Sequence, residues 1–243
     1  MKKSIQLLVC SVFLLSTIAN AQWSKNRIKG NGKVVSNNRS TAGYDGIKVS
    51  GFFDVDLVSG KEGTITVKAE ENLQQYIKVQ VEGNVLKIYT EKNANISPGI
   101  GKTIQITIPF EKISNVSLSG SGDVRSKSII KSDAFTAALS GSGNLNLDVD
   151  ATTFDLAVSG SGDIVLKGNT GSLTTKLSGS GDIDAASLKA KNVDITISGS
   201  GDSKVFCSEN LKARVSGSGD IEYKGDPKTR DTKVSGSGNI SKA

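Results

Sequence analysis

Apolar and polar residues alternate with a period of two along most of this 243-residue chain. Phe154, Leu156 and Val158 alternate with Asp155 and Ala157. After Ser159-Gly160-Ser161-Gly162, Ile164 and Leu166 alternate with Asp163 and Val165. Such a pattern predicts two short strands with one buried face each. Gly168-Asn169-Thr170-Gly171 predicts a second turn, after which Leu173, Thr175 and Leu177 begin the pattern again.

The restart is periodic. Ser-Gly-Ser-Gly-Asp, or its Asn form, begins at Ser119, Ser140, Ser159, Ser178, Ser198, Ser216 and Ser235, with spacings of 21, 19, 19, 20, 18 and 19 residues. A period near 20 residues marks a stacked repeat. Just before the motif stand Leu118, Leu139, Val158, Leu177, Ile197, Val215 and Val234, and just after it Val124, Leu145, Ile164, Ile183, Ser203, Ile221 and Ile240. These columns are mostly β-branched or Leu, as the interior of a parallel sheet requires. The chain is therefore predicted to be all-β, a parallel β-solenoid with about 20 residues per coil and two main sheets. Right-handed winding is the default for parallel crossovers.

The motif supplies corners. Its glycines are Gly120 and Gly122, Gly141 and Gly143, Gly160 and Gly162, Gly179 and Gly181, Gly199 and Gly201, Gly217 and Gly219, and Gly236 and Gly238. They suit positive φ or close backbone approach. The residues that follow are Asp123, Asn144, Asp163, Asp182, Asp202, Asp220 and Asn239. Stacked at about 4.8 Å, neighbouring carboxylates in water would repel by roughly 0.9 kcal/mol per pair. Turn hydrogen bonds or a calcium ladder would relieve that; the two Asn favour the turn, and no metal site is assigned.

The first half is less regular. Ile47-Lys48-Val49-Ser50-Gly51 and Asp54-Val55-Asp56-Leu57 follow the repeat's offsets, with Phe52 and Phe53 in place of the second Ser-Gly. An earlier stretch, Ile28 to Val34, matches with Lys33 at the Asp position and reads as a further coil. Residues 22–115 form an irregular N-terminal part, expected to cap the regular repeats of 116–243 within one domain, 22–243. Phe52 and Phe53 are the residues expected to contact a ligand, unless one of them packs beneath the insertion.

Composition narrows the chemistry. Residues 1–21 read as a cleaved secretory signal, with Lys2 and Lys3, an apolar run from Ile5 to Ile18, and Ala19-Asn20-Ala21. Its loss lowers the formal net charge from +6 to +4 and leaves Cys207 as the one cysteine. Periplasm, outer cell surface and secretion are all open, and no later stretch is apolar and long enough for a transmembrane helix. Histidine is absent, which removes the usual neutral-pH base and commonest metal ligand. The scattered basic excess and scarce aromatics argue against nucleic acid. No cofactor is implied. Asp182 with Asp184, and Asp148 with Asp150, are the acid pairs that a polysaccharide hydrolase or lyase would use, but i, i+2 acids on a strand are ordinarily solvated.

The stretch Val49 to Leu57, Asn72-Leu73, Leu86-Lys87-Ile88 and the Ser-Gly-Ser-Gly-Asp series resemble the head-GIN domain family of putative autotransporter adhesins. The resemblance covers nearly all the mature chain. It implies a right-handed β-helix without a known catalytic set, and a role in adhesion at the cell envelope. The expected function is thus an exported, non-enzymatic binding or structural module with a glycan or protein ligand. A β-helix enzyme and a self-associating periplasmic scaffold are the alternatives.

Overall fold

The computed structural model describes residues 27–243; the expected signal segment lies outside them. The fold is all-β, a solenoid of about seven turns with about 19 residues per turn. Its coils are built from long strands such as Asn144–Gly160, Ile164–Gly179, Ile183–Gly199 and Ser203–Gly217. Each pairs in parallel with the next, so Leu145 lies beside Ile164, Phe154 beside Leu173, and Ser159 beside Ser178. The turn expected at Gly168–Gly171 is a bend inside a continuous strand rather than a break. The ladder survives there because Gly168 takes φ of +109°, and a Cβ on it would meet the Val149 carbonyl oxygen at 2.1 Å.

Burial follows the alternation with two phase breaks per coil. In one coil Leu145, Leu147, Val149 and Ala151 are buried, Thr152 and Thr153 are both exposed, and Phe154, Leu156 and Val158 resume the inward set. The second break is the Ser-Gly-Ser-Gly corner. Phe135 and Phe154 meet edge to face inside, with centroids 5.2 Å apart. Each large apolar side chain buried this way contributes about 1.5–3 kcal/mol. Two interior positions run against the pattern. Thr175 Oγ1 and Ser203 Oγ are buried without a hydrogen-bond partner among the described residues.

The regular coils continue into the first half. Gly46–Gly51 pairs in parallel with Asn115–Gly120, Ser50 beside Ser119, and Asp54–Ser59 pairs with Asp123–Ser126. Val85–Thr90 and Gln105–Phe110 add one more parallel layer below them. There the direction reverses. Ile77–Glu82 pairs antiparallel with Val85–Thr90, Thr64–Glu70 runs antiparallel to Gln105–Phe110, and Val34–Ser40 antiparallel to Thr64–Glu70. A 3-10 helix, Glu71–Tyr76, packs beside them. These strands form the cap and remove the parallel template at that end.

Ile28 to Val34 is not a coil. Ile28–Lys29 pairs with Ile96–Ser97 in a separate two-stranded sheet. Its glycines serve the buried Glu70 carboxylate: Gly32 N–H donates to Oε1 at 2.6 Å and Gly99 N–H to Oε2 at 2.8 Å. A Cβ on Gly30 would lie 1.9 Å from the same carboxylate. The apparent motif is therefore a clasp around one acid. At the other end Thr229–Gly236 is exposed throughout. Arg230 stands beside Leu211 at an inward position and donates to Tyr223 Oη at 2.9 Å. A charge at an inward position of an edge strand discourages further pairing.

Two substitutions test this packing. Thr175→Val removes a buried unpartnered hydroxyl between Leu156 and Ile195, and is expected to stabilise the fold by about 1 kcal/mol in urea denaturation. Gly162→Ala places a Cβ 1.8 Å from the Gly143 carbonyl oxygen, and is expected to cost on the order of 3 kcal/mol or more in the same measurement.

Candidate binding site on the solenoid

Corner glycines come first because they set how closely coils approach. The first glycine of each motif has positive φ, for example +134° at Gly160 and +136° at Gly179. Its carbonyl accepts from the next coil: Ser180 N–H at 2.9 Å and Gly181 N–H at 3.2 Å both donate to the Gly160 oxygen. On either glycine a Cβ would point along the stack into that backbone. Distances to the preceding carbonyl oxygen are 2.1 Å from Gly160 and 2.1 Å from Gly181.

The Asp/Asn column continues the same wiring. Asp182 N–H donates to Asp163 Oδ1 at 3.2 Å, Asp202 N–H to Asp182 Oδ1 at 2.9 Å, and Asp220 N–H to Asp202 Oδ1 at 2.8 Å. Asn144 donates through Nδ2 to Asp123 Oδ1, interrupting the row of negative charges. Among the described residues no group of three or more His, Cys, Asp or Glu is placed to hold a metal ion. The side-chain oxygens have backbone partners instead.

Phe52 and Phe53 separate at this corner. Phe52 is 36% exposed, whereas Phe53 is fully buried and is corrected from a contact residue to a core residue. The reason is its place at the foot of the stack. A Cβ on Gly51 would meet only the Phe53 ring, so that ring takes the space a preceding coil fills elsewhere. The two rings stack with centroids 5.5 Å apart.

On the adjoining face two ion pairs link successive coils. Lys212 pairs with Asp194 at 2.7 Å directly across coils, and Arg214 pairs with Asp231 diagonally. Asp194 and Lys212 stand side by side in the register of their coils.

A groove runs along the stack at the exposed phase break, with a volume of about 990 Å³. Its floor contains Ala151, Thr170 and Ala190, which lie side by side on successive coils. One wall is the outward column Lys131, Asp150, Asn169, Lys189 and Phe206, also in register. Asp133, Thr152, Gly171 and Lys191 line the other. None of these charged groups is in an ion pair among the described residues, in contrast to Lys212 and Arg214. The floor is concave because its side chains are small. Sequence reading missed this column; aligning the copies at their second bend, not only at the glycine motif, brings it out.

The acid pairs do not form a catalytic arrangement. Asp182 Oδ1 is occupied by the Asp202 N–H, and Asp184 Oδ1 accepts the Ala186 N–H at 3.1 Å. Of the other pair, Asp150 lines the groove and Asp148 does not. Cys207 is fully buried, and desolvation pushes its thiol pKa up, away from a reactive thiolate.

A family model described as "Putative auto-transporter adhesin, head GIN domain" matches residues 43–227. Comparison with curated proteins finds no match. A putative adhesin of Bacteroides fragilis has a TM-score of 0.79 at 22% identity, over 89% of this chain and all of its own, a likeness of fold. A putative lipid binding protein of Parabacteroides distasonis has a TM-score of 0.74 at 26% identity, over 90% of this chain and 100% of that one. A putative adhesin of the same organism has a TM-score of 0.72 at 25% identity, with the same coverage.

The foot of the stack yields a pH test. Burial, and then the Asp123 charge beside it, raise the pKa of Asp54. A carboxyl raised in the folded state loses stability as pH rises through that pKa. Asp54→Asn is therefore expected to be more stable than the parent at neutral pH, with the gap closing as pH falls through the carboxylate range. Denaturation midpoints measured against pH give the difference. Phe53→Ala is expected to cost about 3–5 kcal/mol through the cavity it leaves, while Phe52→Ser leaves the midpoint nearly unchanged.

Proposed function

The chain belongs to the head GIN domain family of putative auto-transporter adhesins, and from there we propose that it is an exported, non-enzymatic binding module of the bacterial envelope that adheres through its axial groove. The observation that carries this reading is the set of uncommitted charges along the groove. At the glycine corner, by contrast, the Asp and Asn side chains are engaged by the next coil, and Lys212 and Arg214 are held in ion pairs. Groups without an internal partner are the ones available to a ligand.

Hydrolysis of a glycosidic bond needs two carboxylates flanking the bond, one kept protonated. Asp182 and Asp184 are engaged by backbone N–H groups on the corner and its neighbouring strand. A stacked scaffold presents long regular surfaces, which suit retention of an extended partner rather than turnover. The partner is a glycan or a protein at the cell surface. Among the described residues no helix is long and apolar enough to cross a membrane.

Protease treatment of intact cells tests the location. Digestion of this protein on whole cells is the expected result, together with inhibition of cell adhesion by the purified mature chain. Protection until the outer membrane is opened would overturn adhesion and favour a periplasmic scaffold.

A further inference from the structure

Besides the 21 residues from Ser119 to Ser140, two adjacent coils depart from the 19-residue spacing in opposite senses: 20 residues separate Ser178 from Ser198, and 18 separate Ser198 from Ser216. The first shifts the register against the preceding coil between Val165 and Lys167, and both meet in the pairing with the following coil. Between Ile183–Gly199 and Ser203–Gly217 the register slips at Ala185 to Lys189 and again at Ala190 to Asn192. Bulges re-aim side chains, and they gather where a sheet does something other than stack. Here the slip sets Lys189 directly beside Phe206, whereas the register of Ala185 with Val205, continued, would set it beside Glu209.

The resulting cluster differs from the rest of the groove. Toward its N-terminal end the walls mix Lys112 and Lys131 with Asp45, Asp133 and Asp150. Toward its C-terminal end the charged lining is Lys189 and Lys191 alone. Phe206 points outward between buried Val205 and Cys207 and is only half-buried. Lys224 follows it in register on the next coil, so the ring lies between two exposed lysines of the same column. None of Lys189, Lys191 and Lys224 is in an ion pair among the described residues.

We infer that this end of the groove is a subsite for an anionic glycan, binding a uronic-acid unit with its carboxylate against Lys189 and Lys191 and its ring on Phe206. The inference rests on the groove being the adhesive surface. An aromatic face takes the apolar side of a sugar, while ammonium groups take the acid without requiring the planar geometry of a guanidinium. Asn169 one coil further along the groove, and Thr152 two coils along, offer neutral hydrogen-bonding groups to the next units of the chain. A polymer laid along the stack thus meets cations and an aromatic ring first, then hydroxyl and amide groups, and the mixed charges last.

The test is titration of the mature chain with polygalacturonate, with its methyl ester and with polyglutamate. Polygalacturonate is expected to bind, more weakly as salt rises. Lys189→Gln with Lys191→Gln is expected to lower its affinity about tenfold or more, while Lys212→Gln, on the ion-paired face, leaves it unchanged. Phe206→Leu keeps an apolar side chain on the coil and is expected to weaken binding several-fold. Equal binding of the methyl ester would overturn the anionic subsite while leaving adhesion to neutral glycans. Polyglutamate binding as tightly would overturn the glycan in favour of an acidic peptide. No binding of polygalacturonate, or binding indifferent to the lysine pair, overturns the inference. In those cases protease treatment and cell adhesion still judge the broader function independently.

Discussion

Two missing methyl groups per coil hold this structure together. At each corner the place where a Cβ would stand is taken by the carbonyl of the coil before, about 2 Å away. With any other residue the coils would have to move apart, and the parallel ladders on both faces would lose their hydrogen bonds. The glycines do not attract anything themselves. They allow an approach from which the Ser and Gly N–H bonds, the Asp ladder and the apolar columns all gain. Positive φ is the local requirement at the first glycine of the pair, and close approach is the requirement at both.

The same constraint explains what was legible in the sequence. A residue excluded by backbone contact recurs at every coil, so Gly160, Gly162 and their counterparts announced the stack and its spacing. Leu, Ile and Val columns fixed which face is inside. The Ser50 corner was readable because it is stacked on the next coil through the same register. Phe53 was not, because its burial depends on the layer below having strands but no glycine corner of its own, which no local pattern reports. Ile28 to Val34 imitated a coil because glycines also serve the Glu70 clasp, and the chemistry of that clasp comes from segments far apart in the chain. The groove escaped for a third reason. Its wall residues Lys131, Asp150, Asn169, Lys189 and Phe206 vary in type, so no column of like residues marks them.

Regularity and function divide the surface between them. On the face of Asp194 and Lys212 the in-register neighbours pair across coils. Where the spacing slips, the register changes and side chains face one another without pairing. The excess residue of one coil and the deficit of the next cancel, so the corners on either side remain stacked. The fold thus tolerates a local exception without transmitting it.

The corner wiring has a direction. The carbonyl of Gly160 and the carboxylate of Asp163 are both in place on the earlier coil, and the later coil brings the Ser180, Gly181 and Asp182 N–H groups to them. One residue further on the sense reverses, because the Ile164 N–H of the earlier coil donates to the Asp182 carbonyl of the later one, so each coil leaves both acceptors and donors for the next. The cap, which is complete early in the chain, acts as a seed, and each new coil docks on a finished template. Each coil thus presents the next with a template already matched in both donors and acceptors.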